Sequence, residues 1–432
     1  MEWIEVTGGR PLAGRIRPAA AKNSVLPLLA ATLLCAQPCT LRGVPPLADV
    51  RASLALLEAV GAAVRFAGGC VYTAPRPVSG RVPPGPAAAM RGSVFYLAPL
   101  LMRAGRVELP LPGGCCLGPR PIDIHLDGLS AMGAHVETRP AAVALLRRGA
   151  LHAVDYTLRL PSVGATLTLM MAAACAQGHS ILRGAACEPE IADAAAFLNA
   201  AGAQIEGAGT PVLRIGGAGG LLPGGACRTP LPDRIAAATY AAAAACAGGC
   251  VTVEGCPPAL LEPFLNFLSA AGCTVTARAG DFTVARDPAA PLRGGAALCT
   301  GAWPGFATDT APLAAAVLLA AQGASTVHDS LFENRFACTA GFAALGAGAQ
   351  ARGRDLVIPG GAALHGAAVT APDLRGGAAL VTAALGAAGR TLVADPGHIR
   401  RGYADLPGDL AALGARCRYL APQEAEKIVE VP

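Results

Sequence analysis

The sequence predicts an α/β chain of two domains, each assembled from three copies of one unit, and three observations carry that expectation. A glycine followed by a small residue closes a helical, leucine- and alanine-rich stretch six times, at Gly61, Gly133, Gly202, Gly272, Gly346 and Gly414, with intervals of 68 to 74 residues. Each copy (LLEAVGAAV, GLSAMGAHV, FLNAAGAQI, FLSAAGCTV, FAALGAGAQ, DLAALGARC) leads into a short β-type run, so the glycine reads as a left-handed helix C-cap. A second landmark recurs inside the units, where an alanine-rich helix turns into a strand: AQGHSILRG from Ala176, AGGCVTVEG from Ala247, AQGASTVHD from Ala321 and AAGRTLVAD from Ala387. The 432 residues are also more than one ordinary core organises, and suit two domains of roughly 200 residues.

Each unit therefore reads strand, helix, strand, helix, strand, strand. A solenoid repeat usually spans ~20–50 residues, so units of this length are expected to build compact domains facing each other across a cleft. The glycine-rich segment from Gly216 to Gly225 offers a crossing point between them. In the second unit Val107-Glu108-Leu109 is β-type, and Ile122, Leu126, Leu129 and Met132 mark a helix face by their spacing. Between them lies LPGGCCLGPRPIDIH, Leu111 to His125, in which Gly113 and Gly114 free the backbone and Pro121 suits a first helical turn. Arg120 falls where a helix N-terminus exposes unpaired N–H groups, next to Cys115 and Cys116. A thiol in that setting can have a lowered pKa and act as nucleophile or proton donor. A plain loop with two small half-buried residues accounts for the local sequence equally well.

Composition narrows the function classes. The 53% hydrophobic fraction comes largely from alanine, aromatics are 4% and there are 54 glycines, which points to helices packed closely through small side chains. The net charge of +5 is modest and the arginines are scattered, which argues against a nucleic-acid groove and for small anionic ligands. The 15 cysteines follow no regular framework, and most are expected as reduced core residues. Cys246, Cys250 and Cys256 lack CxxC pairing and a nearby histidine, so no metal site is expected. The N-terminus shows no secretory pattern, and the apolar run Ile235 to Cys250 is short of a spanning helix, so a cytoplasmic, soluble protein is expected.

Polar residues gather at two places in the repeat. Lys22-Asn23, Arg91, Ser162 with Gly164, Asp233-Arg234, Asp309, and Asp373 with Arg375 fall where first helices begin. Asp49, Arg120, Glu188 with Glu190, Glu333 with Arg335, and Arg401 fall where second helices begin. Helix N-termini brought to a common end, with arginines beside them, favour phosphates and carboxylates. Capping and surface solvation explain any one of these residues taken singly.

Ten ordered motifs then carry a resemblance. They are AAAKNSVLPLLAA from Ala19, AMRGSVFYLAPL from Ala89, LPGGCCLGPRPIDIH, PSVGAT from Pro161, EPEIAD from Glu188, LPDRI from Leu231, FATDT from Phe306, LFENRF from Leu331, DLRGGAAL from Asp373 and HIRRGY from His398. The chain resembles the enolpyruvyl transferases from end to end, and within them the branch that acts on UDP-N-acetylglucosamine. The resemblance implies a two-domain inside-out α/β barrel of six βαβαββ repeats. It divides the chain into an N-terminal lobe, 22–231, and a discontinuous C-terminal lobe, 1–21 with 232–432, with the active site in the cleft. It implies transfer of enolpyruvate from phosphoenolpyruvate to the 3-hydroxyl of UDP-N-acetylglucosamine with release of phosphate, the committed step towards peptidoglycan, without metal or organic cofactor. Cys115 would be the proton donor and the site of a covalent adduct and of alkylation by fosfomycin; Asp309 would be the base; Lys22 and Arg401 would complete the catalytic set. Lys22, Asn23, Arg120 and Arg401 would hold phosphoenolpyruvate. Arg91, Arg120, Pro121, Ile122, Asp123, Ile124, Pro161, Ser162, Val163, Gly164, Asp309 and Leu331 would line the nucleotide-sugar site, supported by Asp49, Glu188, Glu190, Arg335 and Arg375.

Several positions depart from the family pattern. Ala236, Ala404 and Arg400 stand where acids are usual, Ala311 where Gln is usual, Ala337-Cys338 where Met-His is usual, and Arg51 where an acid is common. Losses of this kind thin the support of a site and can relax substrate choice. Two other readings stay open: a transferase for a different acceptor, and a non-catalytic paralogue that binds nucleotide-sugars. Shikimate 3-phosphate fits less well as acceptor, because that relative opens on serine-lysine-serine where this chain has Ala21-Lys22-Asn23.

Overall fold

A computed structural model describes residues 2–111, 122–421 and 423–424, so Cys115, Cys116, Arg120 and Pro121 lie outside the described residues. The third repeat shows the unit whole. Strand Asp155–Thr157, helix Val163–Cys175, strand His179–Arg183, helix Pro189–Ala200 and strands Gln204–Glu206 and Val212–Gly216 follow in that order. The first two strands pair in parallel, which needs a long crossover, and the first helix supplies it. The last two strands join antiparallel, Val212–Gly216 lying directly against His179–Arg183. Five four-stranded sheets and one three-stranded sheet repeat this order among the described residues. In the second repeat the place of the first strand is held by a single parallel bridge, Arg81 to Glu108.

Burial separates the two helices of each unit. First helices are buried on all sides: all eight residues of Ala311–Leu318 are buried, as is every residue of Arg234–Ala247 except Cys246. Second helices bury one stripe, as Glu262–Ala270 does with Phe264, Leu265, Phe267 and Leu268. The helices that are apolar all round thus sit innermost and the sheets lie outside them, the inside-out arrangement of an α/β barrel. Alanine and glycine make this possible by letting helices approach. A Cβ on Gly386 would come 2.8 Å from the carbonyl oxygen of Cys246 on the neighbouring inner helix.

The chain forms two compact units, one of the residues up to Ala19 with those from Pro232 onward, the other running from Ala20 to Leu231. Each is closed by a strand from its far end in sequence. Trp3–Thr7 lies antiparallel between Arg390–Ala394 and Arg416–Leu420, and Leu12–Ile16 runs parallel to Gly249–Val253. In the other unit Cys227–Arg228 pairs with Cys39–Leu41 in the same role. The segment from Gly216 to Gly225, expected as a crossing point, stays inside this second unit, where Leu222 bridges to Cys35. Its glycines carry the chain back to the first repeat.

The six repeat glycines all have positive φ, from 90° at Gly61 to 106° at Gly202. At the first, the Ala62 N–H donates to Leu57 O and the Gly61 N–H to Glu58 O; at the last, Ala415 and Gly414 donate to Leu410 and Ala411 in the same way. This double bond closes the last helical turn, and the left-handed residue it requires would cost another side chain ~1–2 kcal/mol. All thirteen cysteines among the described residues are free, seven of them buried. No helix among the described residues is long and apolar enough to cross a membrane.

Candidate active site

In the unit from Ala20 to Leu231 the inner helices begin at Lys22, Arg91 and Val163, the residue after Ser162. Lys22 opens helix Lys22–Ala31, followed by Asn23, and its Nζ donates to Asp49 Oδ2 at 3.2 Å. Asp49 is buried in the first turn of helix Ala48–Ala59, where the helix dipole favours a carboxylate. Two residues on from Lys22, the Ser24 hydroxyl donates to Asp193, a buried residue that also accepts from Arg228 Nε at 2.6 Å and the Leu231 N–H at 3.2 Å. Asp193 thereby anchors the helix that presents Lys22 and Asn23. Arg91 starts the 3-10 turn Arg91–Tyr96, and the Ser162 Oγ caps its helix by accepting from the Ala165 N–H at 3.3 Å.

Ile122 precedes helix Asp123–Ala131, and Ile122 and Ile124 are buried. Asp123 faces solvent and takes a hydrogen bond from Arg159, which holds its carboxyl below the usual range. Because Arg159 lies two residues before Pro161, this pair fastens the approach to Pro161-Ser162-Val163-Gly164 onto the start of the neighbouring helix. His125 completes the arrangement. Its ring packs against Gly164, where a Cβ would come within 3.0 Å of it, and Nδ1 lies 3.0 Å from Thr168 Oγ1. Burial first, and then the charge of Arg91, lower its pKa to about 3, so the imidazole is neutral. Arg91, Asp123, His125 and Ser162 to Gly164 thus gather at one end of the inner helices. Glu188 stands at the N-cap of helix Pro189–Ala200 and Glu190 is buried in its first turn.

In the other unit an aspartate marks every inner-helix start. Asp233 Oδ1 accepts the N–H groups of Ile235 and Ala236 at 2.8 and 3.0 Å, and Asp373 Oδ1 those of Arg375 and Gly376 at the same distances. Asp309, in the 3-10 turn Thr308–Thr310, turns instead to two guanidinium groups. Its Oδ1 lies 3.4 Å from Arg335 Nη2 and its Oδ2 3.2 Å from Arg375 Nη2. Arg335 is 1% exposed; it also pairs with Asp329 at 3.8 Å, donates Nε to Thr308 Oγ1 at 2.9 Å and lies 4.7 Å from the Phe332 ring centre. Asp329 in turn accepts the N–H groups of Leu331 and Phe332 and the Thr308 hydroxyl. Burial opposes the charge on Arg375, but Asp309, Tyr403 and Asp233 together outweigh it and the arginine pKa is raised. Asp309 keeps about a quarter of its side chain exposed (26%). A carboxylate set between two fixed cations, with part of its side chain exposed, can accept a proton from a bound hydroxyl.

Leu331 is exposed beside Asp329, and Arg401 ends the 3-10 turn Ile399–Arg401. Glu333, Arg335 and Arg401 precede their second helices instead of starting them. Those helices begin at Thr339, behind a turn closed by its hydroxyl on Phe336 O, and at Leu406, capped by Asp405. Of the positions that depart from the family pattern, Arg400 has acquired partners of its own: it pairs with Glu2 at 2.5 Å and lies 4.4 Å from the Tyr419 ring centre. Ala236 and Ala311 are buried in inner helices. Asp193, His125, Arg159, Thr308 and Asp329 were not among the residues singled out from the sequence. Asp193 and His125 close two of the quoted motifs, a signal that was there to be used; Asp329 and Arg159 lie just outside theirs.

Comparison with known proteins places the chain in a family. A family model described as EPSP synthase (3-phosphoshikimate 1-carboxyvinyltransferase) matches residues 6–410. The UDP-N-acetylglucosamine 1-carboxyvinyltransferase 1 of Halalkalibacterium halodurans is 41% identical over 429 residues, covering 99% of this chain and 96% of the relative. The UDP-N-acetylglucosamine 1-carboxyvinyltransferase of Hyphomonas neptunium is also 41% identical, covering 98% of this chain and all of the relative. Among solved structures, the enolpyruvyl transferase NikO from Streptomyces tendae matches with a TM-score of 0.87 at 25% identity, over 98% of this chain and 99% of that one. EPSP synthase from Acinetobacter baumannii matches with a TM-score of 0.73 at 16% identity, over 98% and 100%, a likeness of fold alone. With a family match from residue 6 to residue 410 and relatives two-fifths identical along nearly their whole length, the chain belongs to the enolpyruvyl (carboxyvinyl) transferase family.

Proposed function

We propose that the protein transfers the enolpyruvyl group of phosphoenolpyruvate to the 3-hydroxyl of UDP-N-acetylglucosamine and releases phosphate, the first committed step of peptidoglycan synthesis. The observation that carries this reading is the end-to-end identity with relatives named for that transfer, at 41% over 99% of the chain. The side chains supply what the chemistry asks for. Asp309 takes the proton of the sugar hydroxyl as its oxygen adds to the central carbon of phosphoenolpyruvate, while Cys115 gives a proton to the vinyl carbon. Loss of that proton and of phosphate then restores the double bond in the product. Lys22, Asn23, Arg120 and Arg401 hold the phosphate and carboxylate, and arginine presents parallel donors to either. Arg91 and residues 120 to 124, 161 to 164 and Leu331 bind the nucleotide-sugar; Asp49, Glu188, Glu190, Arg335 and Arg375 support these groups.

In this reading the two units, 22–231 and 1–21 with 232–432, close on the acceptor with the Cys115 loop as lid. The enzyme acts in the cytoplasm, serves cell shape and division, forms a pyruvyl adduct on Cys115 and is alkylated there by fosfomycin. Phosphate release from phosphoenolpyruvate, with and without UDP-N-acetylglucosamine, followed by mass spectrometry of the nucleotide, tests it. The expected result is release that requires the sugar and a product heavier by one enolpyruvyl group. Binding of UDP-N-acetylglucosamine without release, or release only with another acceptor, would overturn it in favour of the binding paralogue or the altered transferase.

A further inference from the structure

Behind Asp309 runs a line of hidden polar groups that the reaction as described leaves unused. Tyr403 follows Arg401 by two residues and is 3% exposed; its hydroxyl lies 2.7 Å from Thr239 Oγ1. The Thr239 hydroxyl donates to Ile235 O at 2.9 Å, within the inner helix Arg234–Ala247. With that proton committed, Tyr403 must donate to Thr239 Oγ1, which leaves the phenol oxygen free to accept. Gly402 packs against Leu374, where a Cβ would come 2.8 Å from its side chain, and this contact sets their neighbours Tyr403 and Arg375 close enough for the guanidinium, which can only donate, to act on the phenol. Arg375 Nη2 then reaches Asp309 Oδ2 at 3.2 Å. The Ile235 carbonyl only accepts, which fixes the direction of the bonds from Tyr403 to Thr239 and from Thr239 to Ile235, as the guanidinium fixes that from Arg375 to Asp309.

We propose that Tyr403, itself held by Thr239, is a positioning residue for the transfer: it fixes the Arg375 guanidinium, and through it the orientation and ionisation of Asp309. The proposal rests on the reading of Asp309 as the base. Tyr403 moves no proton; the hydroxyl proton goes to Asp309 alone. Among the described residues, the charged groups facing this line include Arg335 and Arg375 on Asp309, Asp233 beside Arg375 and Tyr403, and Asp373 at the start of the Arg375 helix. Tyr240, hydrogen-bonded to Asp409 at 2.5 Å, also lies near Tyr403.

The test is Tyr403→Phe, which keeps the ring and removes the hydroxyl, read by phosphate release across pH. The expected outcome is a kcat lowered roughly tenfold to a hundredfold, as for a misplaced reacting group, with KM for both substrates little changed. The acid limb of the kcat profile moves to higher pH, because Asp309 loses part of the field of Arg375. In an Arg375→Gln background the same substitution adds no further loss. Should Tyr403→Phe fail to fold, Thr239→Val, which removes only the anchor, is expected to shift the acid limb in the same direction. A wild-type kcat and acid limb, or an undiminished loss in the Arg375→Gln background, overturns the proposal. Asp309→Asn separates the two claims. If it is inactive while Tyr403→Phe is unaffected, only the positioning role falls; if it turns over normally, the base reading falls and the proposal with it.

Discussion

The two units share one architecture and fill its most polar positions in opposite ways. From Ala20 to Leu231 the inner helices start with a lysine, an arginine and a serine cap; in the other unit all three starts carry aspartate. A helix N-terminus already attracts negative charge. Adding Lys22 and Arg91 leaves that attraction for a ligand, whereas Asp233 and Asp373 use it up on the chain's own carboxylates. Asp309 is the exception within its unit, since two buried arginines hold it instead. One scaffold therefore yields a face suited to anions and a face suited to a base.

Removing Asp309, the proposed base, is the sharpest way to break this contrast. Asp309→Asn keeps size and loses the proton acceptor, and turnover is expected to fall by ~10²–10⁴. Acceptor binding, followed by calorimetry, is expected to survive. Turnover near the wild-type rate would mean that the aspartates of this unit are caps and nothing more.

The next effect concerns stability. Arg335→Met strands Asp329, which is fully buried, and strips one cation from Asp309, so a loss of ~3–5 kcal/mol is expected in denaturant unfolding. Lys22→Met affects a pair at the helix end whose Asp49 keeps the support of its own first turn, and ~1.5–3 kcal/mol is expected. Equal losses would show that the two faces differ in sign only and not in how deeply they bury their charge.

A third difference appears on acidification. His125, in the anion-favouring unit, has a folded pKa lowered to about 3 from 6.5, so the unfolded chain binds its proton first. Its contribution is complete above pH ~6.5 and is lost as pH falls towards 3, at about 1.4 kcal/mol per pH unit. Stability measured from pH 4 to 7 is expected to show a slope that His125→Gln reduces by one proton. An unchanged slope would remove His125 as its source.

The sequence made the repeats legible because helix caps are local. Gly61 and its five counterparts need only their own last turn, and all six take the left-handed conformation. The inner-helix starts were legible for the same reason, down to the caps of Ser162, Asp233 and Asp373. Pairing across long separations was not. Cys227–Arg228 closing on Cys39–Leu41, or Asp193 joining Ser24 to Arg228, depends on where the barrel brings the chain back, and no spacing records it. Charge near a helical run looks like a cap, so Arg335 resembles a helix start in sequence; its burial between Asp309 and Asp329 is a tertiary fact.

The smallest effect tests the caps themselves. Asp233 takes two N–H groups at 2.8 and 3.0 Å with a full charge, whereas Ser162 takes one at 3.3 Å with a neutral hydroxyl. Cap removal costs ~0.5–2 kcal/mol, and the charged, doubly bonded cap belongs at the upper end. Asp233→Ala is therefore expected to cost about 2 kcal/mol and Ser162→Ala about 0.5 kcal/mol, read from unfolding midpoints at constant m-value. The weak cap has a consequence for the anion-favouring face. A serine whose side chain takes one helix-end N–H, that of Ala165, competes less for a phosphate than an aspartate in its place, which would take two as Asp233 does. Ser162→Asp is accordingly expected to stabilise the free protein slightly while weakening its affinity for UDP-N-acetylglucosamine, and a variant that gained both would show that this helix end takes no part in holding the nucleotide.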